Sequence, residues 1–274
     1  MICSICNNKL YIVNKQKYSF FKCENCKAIY KAFTILNDYS TNSEDYNKIT
    51  NKDYFNQNVM SFANNPIMEI IKIYASDTSK ILDIGCSNGA FLKALKSNNI
   101  NNVFGIDIQE DTIEFAQKQN LQCYYGLFPN KIPKELEQKY NIITSFENIY
   151  YMPNLIDFFE KAIDLLENNG KLVLKFNQSS SSYYIKYPYH IRVVDFNVFI
   201  NIETIIFLAN KYKLNILDVK AFSSSYISDY FGYSSWKTKP KKEKNFFLKV
   251  FDKLSGYVIP IKYTDKIIVV LEKK

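Results

Sequence analysis

Short apolar runs alternate with longer amphipathic runs from residue 80 to the end of the chain. The apolar runs predict strands, and apolar residues spaced three and four positions apart predict helices between them. Strands that alternate with helices in this way are typical of a parallel sheet covered by helices on both faces. We therefore predict an α/β fold with a seven-stranded, mostly parallel sheet. The strands are expected at about residues 81–84, 103–106, 121–125, 140–145, 171–176, 214–219 and 266–272, and the helices at about 89–98, 110–119, 154–168 and 197–211.

The first 36 residues differ from the rest because they carry two closely spaced pairs of cysteines. Cys3 and Cys6 form one pair, Cys23 and Cys26 form the other, and a hairpin-like segment separates them. This spacing is that of a four-cysteine zinc site, and so short a segment needs such a site in order to fold. Two disulfides or four free thiols are the alternatives. We predict a zinc ribbon over residues 1–36, in which these four cysteines bind one structural zinc ion.

The rest of the sequence divides by composition. Residues 37–79 are polar with spaced aromatic side chains, and we expect a linker followed by helices that cover a bound cofactor. Residues 80–274 are expected to form the α/β domain. The stretch 220–262 is irregular and aromatic and lies between the last two predicted strands, so we expect it to be a lid or a substrate-binding insertion.

Composition and charge narrow the choice of partners. The chain has 274 residues, of which 47% are hydrophobic, and no apolar run approaches the ~20 residues of a membrane span. Its N-terminus does not have the pattern of a secretory signal, which makes a cytoplasmic location the expectation. The net charge of +8 would suit nucleic acid, but Arg192 is the only arginine among 35 basic residues, and arginine is preferred at phosphates and base edges. We expect a small-molecule substrate rather than nucleic acid, and the oligomeric state stays open.

A glycine-containing turn follows the first predicted strand of the α/β domain. Asp83 lies near the end of that strand, Gly85 and Gly89 bracket the turn, and Asp107 ends the next strand. A nucleoside laid across such a turn would place its ribose hydroxyls near Asp107. Asp83 would repel a pyrophosphate, whereas S-adenosylmethionine carries a sulfonium and an ammonium group and no phosphate. We therefore predict S-adenosylmethionine as the cofactor, although the glycine turn alone is also compatible with a nicotinamide dinucleotide.

These segments resemble the class I S-adenosylmethionine-dependent methyltransferases over nearly the whole chain. Residues 82–89 match the cofactor loop of that family, with Ser87 where a glycine is usual, and residues 105–108 match its ribose-binding strand end. Residues 140–154 and 165–174 resemble the segments around its fourth and fifth strands. More narrowly, the chain resembles bacterial enzymes that join a zinc ribbon to such a domain, among them sugar methyltransferases of polysaccharide and secondary-metabolite clusters. The resemblance implies a Rossmann-like sheet.

Two positions depart from the family pattern. Tyr150 and Tyr151 stand where the family often has Glu-His, and Leu127 stands where an acid often holds the adenine amino group. The main chain around Leu127 and Phe128 is therefore expected to hold the adenine. The resemblance implies a set of cofactor-binding residues, which are Asp83, Gly85, Cys86, Ser87, Gly89, Asp107, Ile108, Leu127, Phe128 and Phe146.

For the reaction, the resemblance implies an in-line transfer of the methyl group to a small-molecule acceptor. A nucleotide-activated or polysaccharide sugar is the favoured acceptor. His190, the only histidine, lies in the region that the family places at the substrate pocket, and a histidine pKa near ~6.5 suits a general base. Glu147 and Tyr151 are further candidate catalytic residues. A ribosomal RNA base methyltransferase and an inactive zinc-ribbon scaffold are the alternatives.

Overall fold

The computed structural model describes residues 1–15, 18–31, 66–179, 198–222 and 266–274. Most of the predicted linker, the segment that contains His190 and most of the predicted lid lie outside these ranges. In the described parts of the chain, no helix combines the length and the apolar character that a membrane crossing requires.

Two sheets organise the described chain. Along the sequence, the elements are β1 Leu10–Lys15, β2 Tyr18–Cys23, β3 Ile29–Lys31, α1 Pro66–Tyr74, β4 Ile81–Ile84, α2 Ala90–Lys96, β5 Val103–Asp107, α3 Glu110–Lys118, β6 Gln122–Tyr125, β7 Tyr140–Phe146, α4 Leu155–Leu165, β8 Leu166–Asn177, α5 Ile202–Lys211, β9 Asn215–Phe222 and β10 Lys266–Glu272. The first three strands form an antiparallel sheet in the order β1-β2-β3. The other seven form a second sheet in the order β6-β5-β4-β7-β8-β10-β9.

The seven-stranded sheet confirms the predicted α/β fold. Strands β6, β5, β4, β7 and β8 are parallel to one another, and β10 runs antiparallel to both of its neighbours. Strands β4 and β10 have the predicted bounds 81–84 and 266–272. Both are dominated by branched and other apolar side chains, which favour extended backbone and are buried on both faces of a central strand.

Two helices differ from the predicted bounds by three residues or more at one end. The helix predicted over 154–168 ends earlier, because Leu166 is extended and pairs with Tyr140 of β7, which makes it the first residue of β8. The helix predicted over 197–211 begins later, because Asn201 caps its first turn. In both cases a contact with another part of the chain or a local cap decides the boundary, and the apolar spacing does not encode either one.

Apolar side chains of the large sheet alternate between its two faces. In β10, Ile267, Val269 and Leu271 pack into the layer that contains α4 and α5. Ile268 and Val270 pack into the layer that contains α1, α2 and α3. The sheet is therefore a central layer covered on both faces.

The N-terminal sheet packs on the α4–α5 side of the large sheet, and its buried residues join that apolar core. Ile29 and Phe199 exchange two main-chain hydrogen bonds of 2.9 and 2.8 Å. The Asn201 side-chain amide donates to the Lys27 carbonyl at 3.3 Å. The N-terminal unit is therefore joined by hydrogen bonds to the segment that leads into α5.

Candidate cofactor and acceptor site

The turn between β4 and α2 is built around two glycines with left-handed backbone. Gly85 has a φ of +81°, its N–H donates to the Ile106 carbonyl at 2.8 Å, and an added Cβ would lie 1.8 Å from the Asn148 amide nitrogen. Gly89 has a φ of +74°, and a Cβ there would lie 2.5 Å from the Leu121 side chain. Both the backbone angles and the available space therefore require glycine at these positions.

The residues between these glycines bring the turn close to the end of β5. Ser87 also has left-handed backbone, with a φ of 49°, and its N–H donates to the Asp107 carboxylate at 2.8 Å. The Asn88 side chain accepts the Ala90 N–H at 3.1 Å and so caps the first turn of α2. Cys86 is buried beneath the turn. A serine thus occupies the position of the usual glycine without loss of the left-handed conformation.

Asp107 ends β5 directly beside this turn. One carboxylate oxygen accepts the Ser87 N–H, and the other accepts the Gln109 N–H at 2.9 Å. Burial raises the pKa of Asp107, and the hydrogen bonds from the main chain oppose that shift. Each carboxylate oxygen can accept a second hydrogen bond, so this carboxylate has the chemistry to receive two ribose hydroxyls. Ile108 follows it and is half-buried.

Asp83 is an acid buried within the sheet. Its carboxylate accepts a hydrogen bond of 2.6 Å from the Thr144 hydroxyl of β7. Burial raises the pKa of Asp83 to about 7, the Thr144 hydrogen bond lowers it, and the nearby charge of Asp107 raises it further. A buried carboxylate with this pKa is stabilised in its charged form when a cation binds beside it. The position is thus suited to a positively charged ligand and unsuited to a phosphate.

The loop after β6 provides the third side of the turn. The Leu127 N–H donates to the Lys131 carbonyl at 3.0 Å, and the Lys131 N–H donates back at 2.7 Å. The Phe128 ring is buried and packs edge-on against Phe158, with 5.5 Å between ring centroids. The aromatic side chain therefore anchors the loop in the core, and the loop can face a ligand with its main chain and with the half-buried Leu127 side chain.

The end of β7 contacts the same turn from the opposite side. The Phe146 ring packs edge-on against Phe91 of α2, with 5.0 Å between ring centroids. The Asn148 side-chain amide donates to the Ile84 carbonyl at 2.6 Å, and its oxygen accepts from the Ser145 hydroxyl. These contacts fix the end of β7 against the residues on either side of the glycine turn.

Glu147 lies between Phe146 and Asn148 in the sequence, and polar side chains surround its carboxylate. One carboxylate oxygen faces the ammonium groups of Lys175 and Lys266 at 2.9 and 3.1 Å as an ion pair. The other oxygen accepts from the Tyr150 hydroxyl at 2.9 Å and from the Asn177 amide at 2.8 Å. Burial raises the pKa of Glu147, but the two lysines and these hydrogen bonds outweigh burial and hold it below the ordinary value. Glu147 is therefore ionised at neutral pH.

Of the other two predicted catalytic residues, Tyr151 lies in the described part of the chain and His190 does not. Tyr151 is half-buried, and its ring packs edge-on against Tyr150 with 5.2 Å between ring centroids. Tyr150 is buried, and its hydroxyl points to Glu147. His190 lies outside the described residues, so its place at the site stays a prediction.

Sequence reasoning missed several polar residues that the fold places at this edge. Asn148 follows β7, Lys175 and Asn177 lie at the end of β8, and Lys266 begins β10 opposite Asn177. Their signal was present but weak, since each is a polar residue at the end of an apolar run. A lysine near the end of a central strand is rare enough to mark such a position.

The four N-terminal cysteines converge on one point. Their sulfur atoms all lie within 4.8 Å of one another. The Cys3 and Cys26 sulfurs are 3.5 Å apart, and those of Cys6 and Cys23 are 3.3 Å apart. A disulfide needs about 2.05 Å, and a tetrahedral zinc with bonds of about 2.3 Å separates its sulfurs by about 3.8 Å. None of the six cysteines forms a disulfide, so the disulfide alternative is not realised.

Both cysteine pairs lie in similar tight turns. The residue after each pair, Asn7 or Lys27, has left-handed backbone with a φ of 58° or 63°. The Cys3 N–H donates to the Asn8 carbonyl at 2.8 Å, which closes the first turn. The Tyr30 hydroxyl lies 3.2 Å from the Cys3 sulfur, as a supporting hydrogen bond around a thiolate would. The donor set, its spacing and its surroundings fit a closed four-sulfur metal site.

A family model described as a methyltransferase domain matches residues 56–209, which is more than half of the chain. The chain belongs to this methyltransferase family. The matched range includes the glycine turn, both acids beside it and the end of β7.

Two curated proteins match part of this methyltransferase. The ubiquinone biosynthesis O-methyltransferase of Hydrogenovibrio crunogenus is 28% identical over 113 residues, which cover 39% of this chain and 46% of that protein. An uncharacterized protein of Haemophilus influenzae is 28% identical over 102 residues, which cover 34% of this chain and 40% of that protein. The chain thus spans less than half the length of either relative.

Solved structures share the fold. A SAM dependent methyltransferase from Archaeoglobus fulgidus has a TM-score of 0.53 at 16% identity and covers 76% of this chain and 91% of its own. The plantazolicin methyltransferase BpumL, solved in complex with SAH, has a TM-score of 0.51 at 19% identity and covers 85% and 91%. With the family match, these structures confirm the predicted methyltransferase domain and its fold.

Proposed function

We propose that this methyltransferase transfers the methyl group of S-adenosylmethionine to a small-molecule acceptor, with a nucleotide-activated or polysaccharide sugar as the favoured class. The observation that carries the donor side is a pair of acids beside a glycine turn, the buried Asp83 and the half-buried Asp107. The sugar preference rests on the resemblance in sequence, including the cysteine pairs of the N-terminal unit. Asp107 would also suit the ribose of a dinucleotide, so it is the buried charge of Asp83, unfavourable beside a pyrophosphate, that favours a donor without phosphate.

The proposed cofactor contacts follow from the geometry of the turn. Asp107 accepts hydrogen bonds from the two ribose hydroxyls, and Asp83 pairs with the methionine ammonium, directly or through a water molecule. Gly85 and Gly89 let the main chain approach the ligand closely. The Phe128 N–H is the proposed adenine contact, since the Leu127 N–H already donates to Lys131. Around these contacts, the proposed cofactor pocket also includes Cys86, Ser87, Ile108, Leu127 and Phe146.

The cofactor supplies an electrophilic methyl group on a positively charged sulfur. The task of the protein is to hold the acceptor atom in line with that group, and alignment of this kind can lower a barrier by ~7–11 kcal/mol. We assign the general base to His190 and the orientation of the acceptor to Tyr151. Glu147 has a lowered pKa and is engaged by two lysines, a tyrosine and an amide, so it is a weak proton acceptor.

The N-terminal unit completes the proposal. Residues 1–36 form a zinc ribbon in which Cys3, Cys6, Cys23 and Cys26 bind one structural zinc ion, and a reducing compartment such as the cytoplasm suits their thiolates. Residues 37–79 link it to the methyltransferase domain of residues 80–274, whose segment 220–262 forms a lid over the acceptor. The ribbon is hydrogen-bonded to Phe199, which follows the segment 180–197 that contains His190. This contact supports a role for the ribbon in shaping that side of the site.

The proposal is tested with the purified full chain in two steps. Equilibrium dialysis is expected to detect binding of S-adenosylhomocysteine and no binding of NADH, and the reverse result would contradict the donor assignment. Methyl transfer from labelled S-adenosylmethionine is then measured on nucleoside-diphosphate sugars, on neutral oligosaccharides and on ribosomal RNA. Transfer to ribosomal RNA alone would replace the small-molecule acceptor with the alternative.

The role of His190 has its own experiment. The variant His190→Gln keeps a polar side chain of similar size but has no group that titrates near neutral pH. We expect turnover to fall by about 10²-fold or more, as for the loss of a general base, with unchanged affinity for S-adenosylhomocysteine. Turnover that equals that of the wild type would remove His190 from the catalytic role.

A further inference from the structure

At the corner formed by Glu147, Lys175 and Lys266, two positive charges face one negative charge. Lys175 lies near the end of β8, and Lys266 is the first residue of the antiparallel strand β10, so both lie at the edge where the parallel strands end. Their ammonium groups converge on one carboxylate oxygen at 2.9 and 3.1 Å. One lysine would neutralise Glu147, and the second leaves the group with a net charge of about +1.

This surplus charge is costly where it lies. The side chains of Lys175 and Lys266 are only 19% and 31% exposed, so both ammonium groups have lost much of their hydration. Charges that are removed from water without full pairing destabilise a fold, and they persist where function requires them. Among the described residues, Glu147 is the acid that pairs with both lysines, and its single charge offsets the cost of one of them. An anion bound at this corner would supply the missing negative charge.

The carboxylate that holds the lysines is itself fixed in place. Glu147 has left-handed backbone with a φ of 61°, and its N–H donates to the Lys175 carbonyl at 2.8 Å. Its second carboxylate oxygen accepts from Tyr150 and Asn177, which themselves lie 3.1 Å apart. A non-glycine residue in this conformation is maintained by its surroundings. Glu147 is therefore held in a fixed position, and its carboxylate keeps the two flexible lysine side chains together.

The corner also adjoins the cofactor turn. Phe146, immediately before Glu147, packs on Phe91 of the helix that follows the turn. Asn148, immediately after it, donates to Ile84 of the strand that precedes the turn. A group bound to Lys175 and Lys266 would therefore be near the proposed methyl donor, on the side opposite the adenine loop.

We propose that Lys175 and Lys266 bind an anionic group of the methyl acceptor, a phosphate or a carboxylate, and that Glu147 is the residue that positions them. This assignment rests on the proposed function and narrows it. The acceptor is a charged small molecule, so a nucleotide-activated sugar or another phosphorylated or carboxylated compound fits this corner, and a neutral polysaccharide does not. Lysine ammonium groups bind such oxygens as compact point charges with several donors each.

The experiment uses the full chain saturated with S-adenosylhomocysteine and titrates it with inorganic pyrophosphate or with citrate in a calorimeter. The two probes separate a phosphate-binding corner from a carboxylate-binding one. We expect one of them to bind with an affinity that falls as salt is added, and Lys266→Gln to weaken that binding by about tenfold or more. Lys175→Gln should have the same effect. Lys118→Gln is the matched control, because Lys118 is 77% exposed and lies on α3 beside the other half of the sheet.

The sign of a second substitution tests the role of Glu147. Glu147→Gln keeps the side-chain shape but removes the charge that draws the two ammonium groups together, so we expect anion binding to weaken several-fold at an unchanged melting temperature. Binding of neither anion by the wild type, or equal binding by the wild type and both lysine variants, would overturn the proposal. Equal or tighter anion binding by Glu147→Gln would overturn the positioning role of Glu147, because the lysines would then bind the anion without it. The affinity for S-adenosylhomocysteine is measured for each protein. A wild type that does not bind it would count against the proposed function rather than against this inference.

Discussion

Substitution of Asp83 by asparagine is the sharpest test of the donor side of the site. The side chain is buried, and its oxygen accepts a hydrogen bond from Thr144 at 2.6 Å, which an asparagine oxygen can also accept. The substitution therefore removes the charge with little change of shape. Burial raises the pKa of Asp83 from 3.8 to about 7, so the folded protein holds a proton that the unfolded chain has lost.

The size and sign of the effect on stability follow from that difference. A tenfold change in proton affinity is worth about 1.4 kcal/mol, so ionisation of Asp83 costs the folded state on the order of 4 kcal/mol at pH 8. Because the folded-state pKa lies above the unfolded one, the cost is small near pH 4, grows as pH rises, and is complete above about pH 7. At pH 5 it is under about 2 kcal/mol. Asp83→Asn should remove this cost.

The assay is urea denaturation of the cofactor-free chain at pH 5, 6.5 and 8, with Asp77→Asn as the control. Asp77 is an exposed acid in the turn before β4, so Asp77→Asn makes the same chemical change at the surface. We expect the stability of Asp83→Asn relative to the wild type to increase by about 2–3 kcal/mol between pH 5 and pH 8. Parallel pH profiles for the two proteins would refute the argument that Asp83 is a destabilising buried charge.

Ligand binding provides the complementary readout. When the cofactor ammonium pairs with Asp83, the carboxylate is held ionised and the proton it carried at pH 7 is released. Calorimetry of S-adenosylhomocysteine in buffers with different ionisation heats should detect release of about half a proton by the wild type and none by Asp83→Asn. The variant should be more stable without ligand and bind the ligand at least about tenfold more weakly, as expected for a lost charged contact.

The other predictions concern the turn, the ribose site and the zinc ribbon. Gly85→Ala should abolish binding of S-adenosylhomocysteine, because its Cβ would lie 1.8 Å from the Asn148 amide, and full binding by this variant would contradict the argument. The further substitution Asn148→Ala should restore only part of the lost stability, because it removes the clash and leaves alanine at a strained φ. Asp107→Asn should weaken the same binding about tenfold or more in dialysis through the loss of charge-assisted hydrogen bonds to the ribose, and unchanged affinity would exclude the ribose contact. Metal analysis should find one zinc per chain, lost in Cys23→Ser and kept in Cys123→Ser, and a zinc-free wild type would exclude the ribbon.

The fold was predictable because buried strands and amphipathic helices have local signatures. The bounds of β4 and β10 could be stated from the sequence, since each is a run of apolar residues with a sharp end. The start of β8 could not, because residues 166–170 are mostly polar and resemble the tail of the preceding helix. Leu166 joins β8 through its pairing with Tyr140, and no local pattern encodes that pairing.

The candidate site was predictable on one side only. Asp83 and Asp107 were found because an acid at the end of an apolar strand, beside a glycine turn, is a local pattern with a chemical meaning. Lys175 and Lys266 were missed because their importance depends on meeting Glu147, which requires β7, β8 and β10 to be neighbours. Strand order is a property of the whole fold, and β10 lies between β8 and β9 in the sheet although it follows β9 in the sequence.

The two halves of this edge carry opposite charge, and their order in the sheet gives that difference a direction. The acids lie on β4 and β5, the lysines lie on β8 and β10, and β7 separates them. On the proposed assignment, a cationic donor is attracted to the first half and repelled by the second, and an anionic acceptor experiences the reverse. Complementary fields of this kind select orientation and raise association rates more than they raise affinity. Added salt should therefore raise the KM for a charged acceptor while the turnover number of the bound complex changes little, and an equal effect of salt on a neutral acceptor would show that the field does not sort the two ligands.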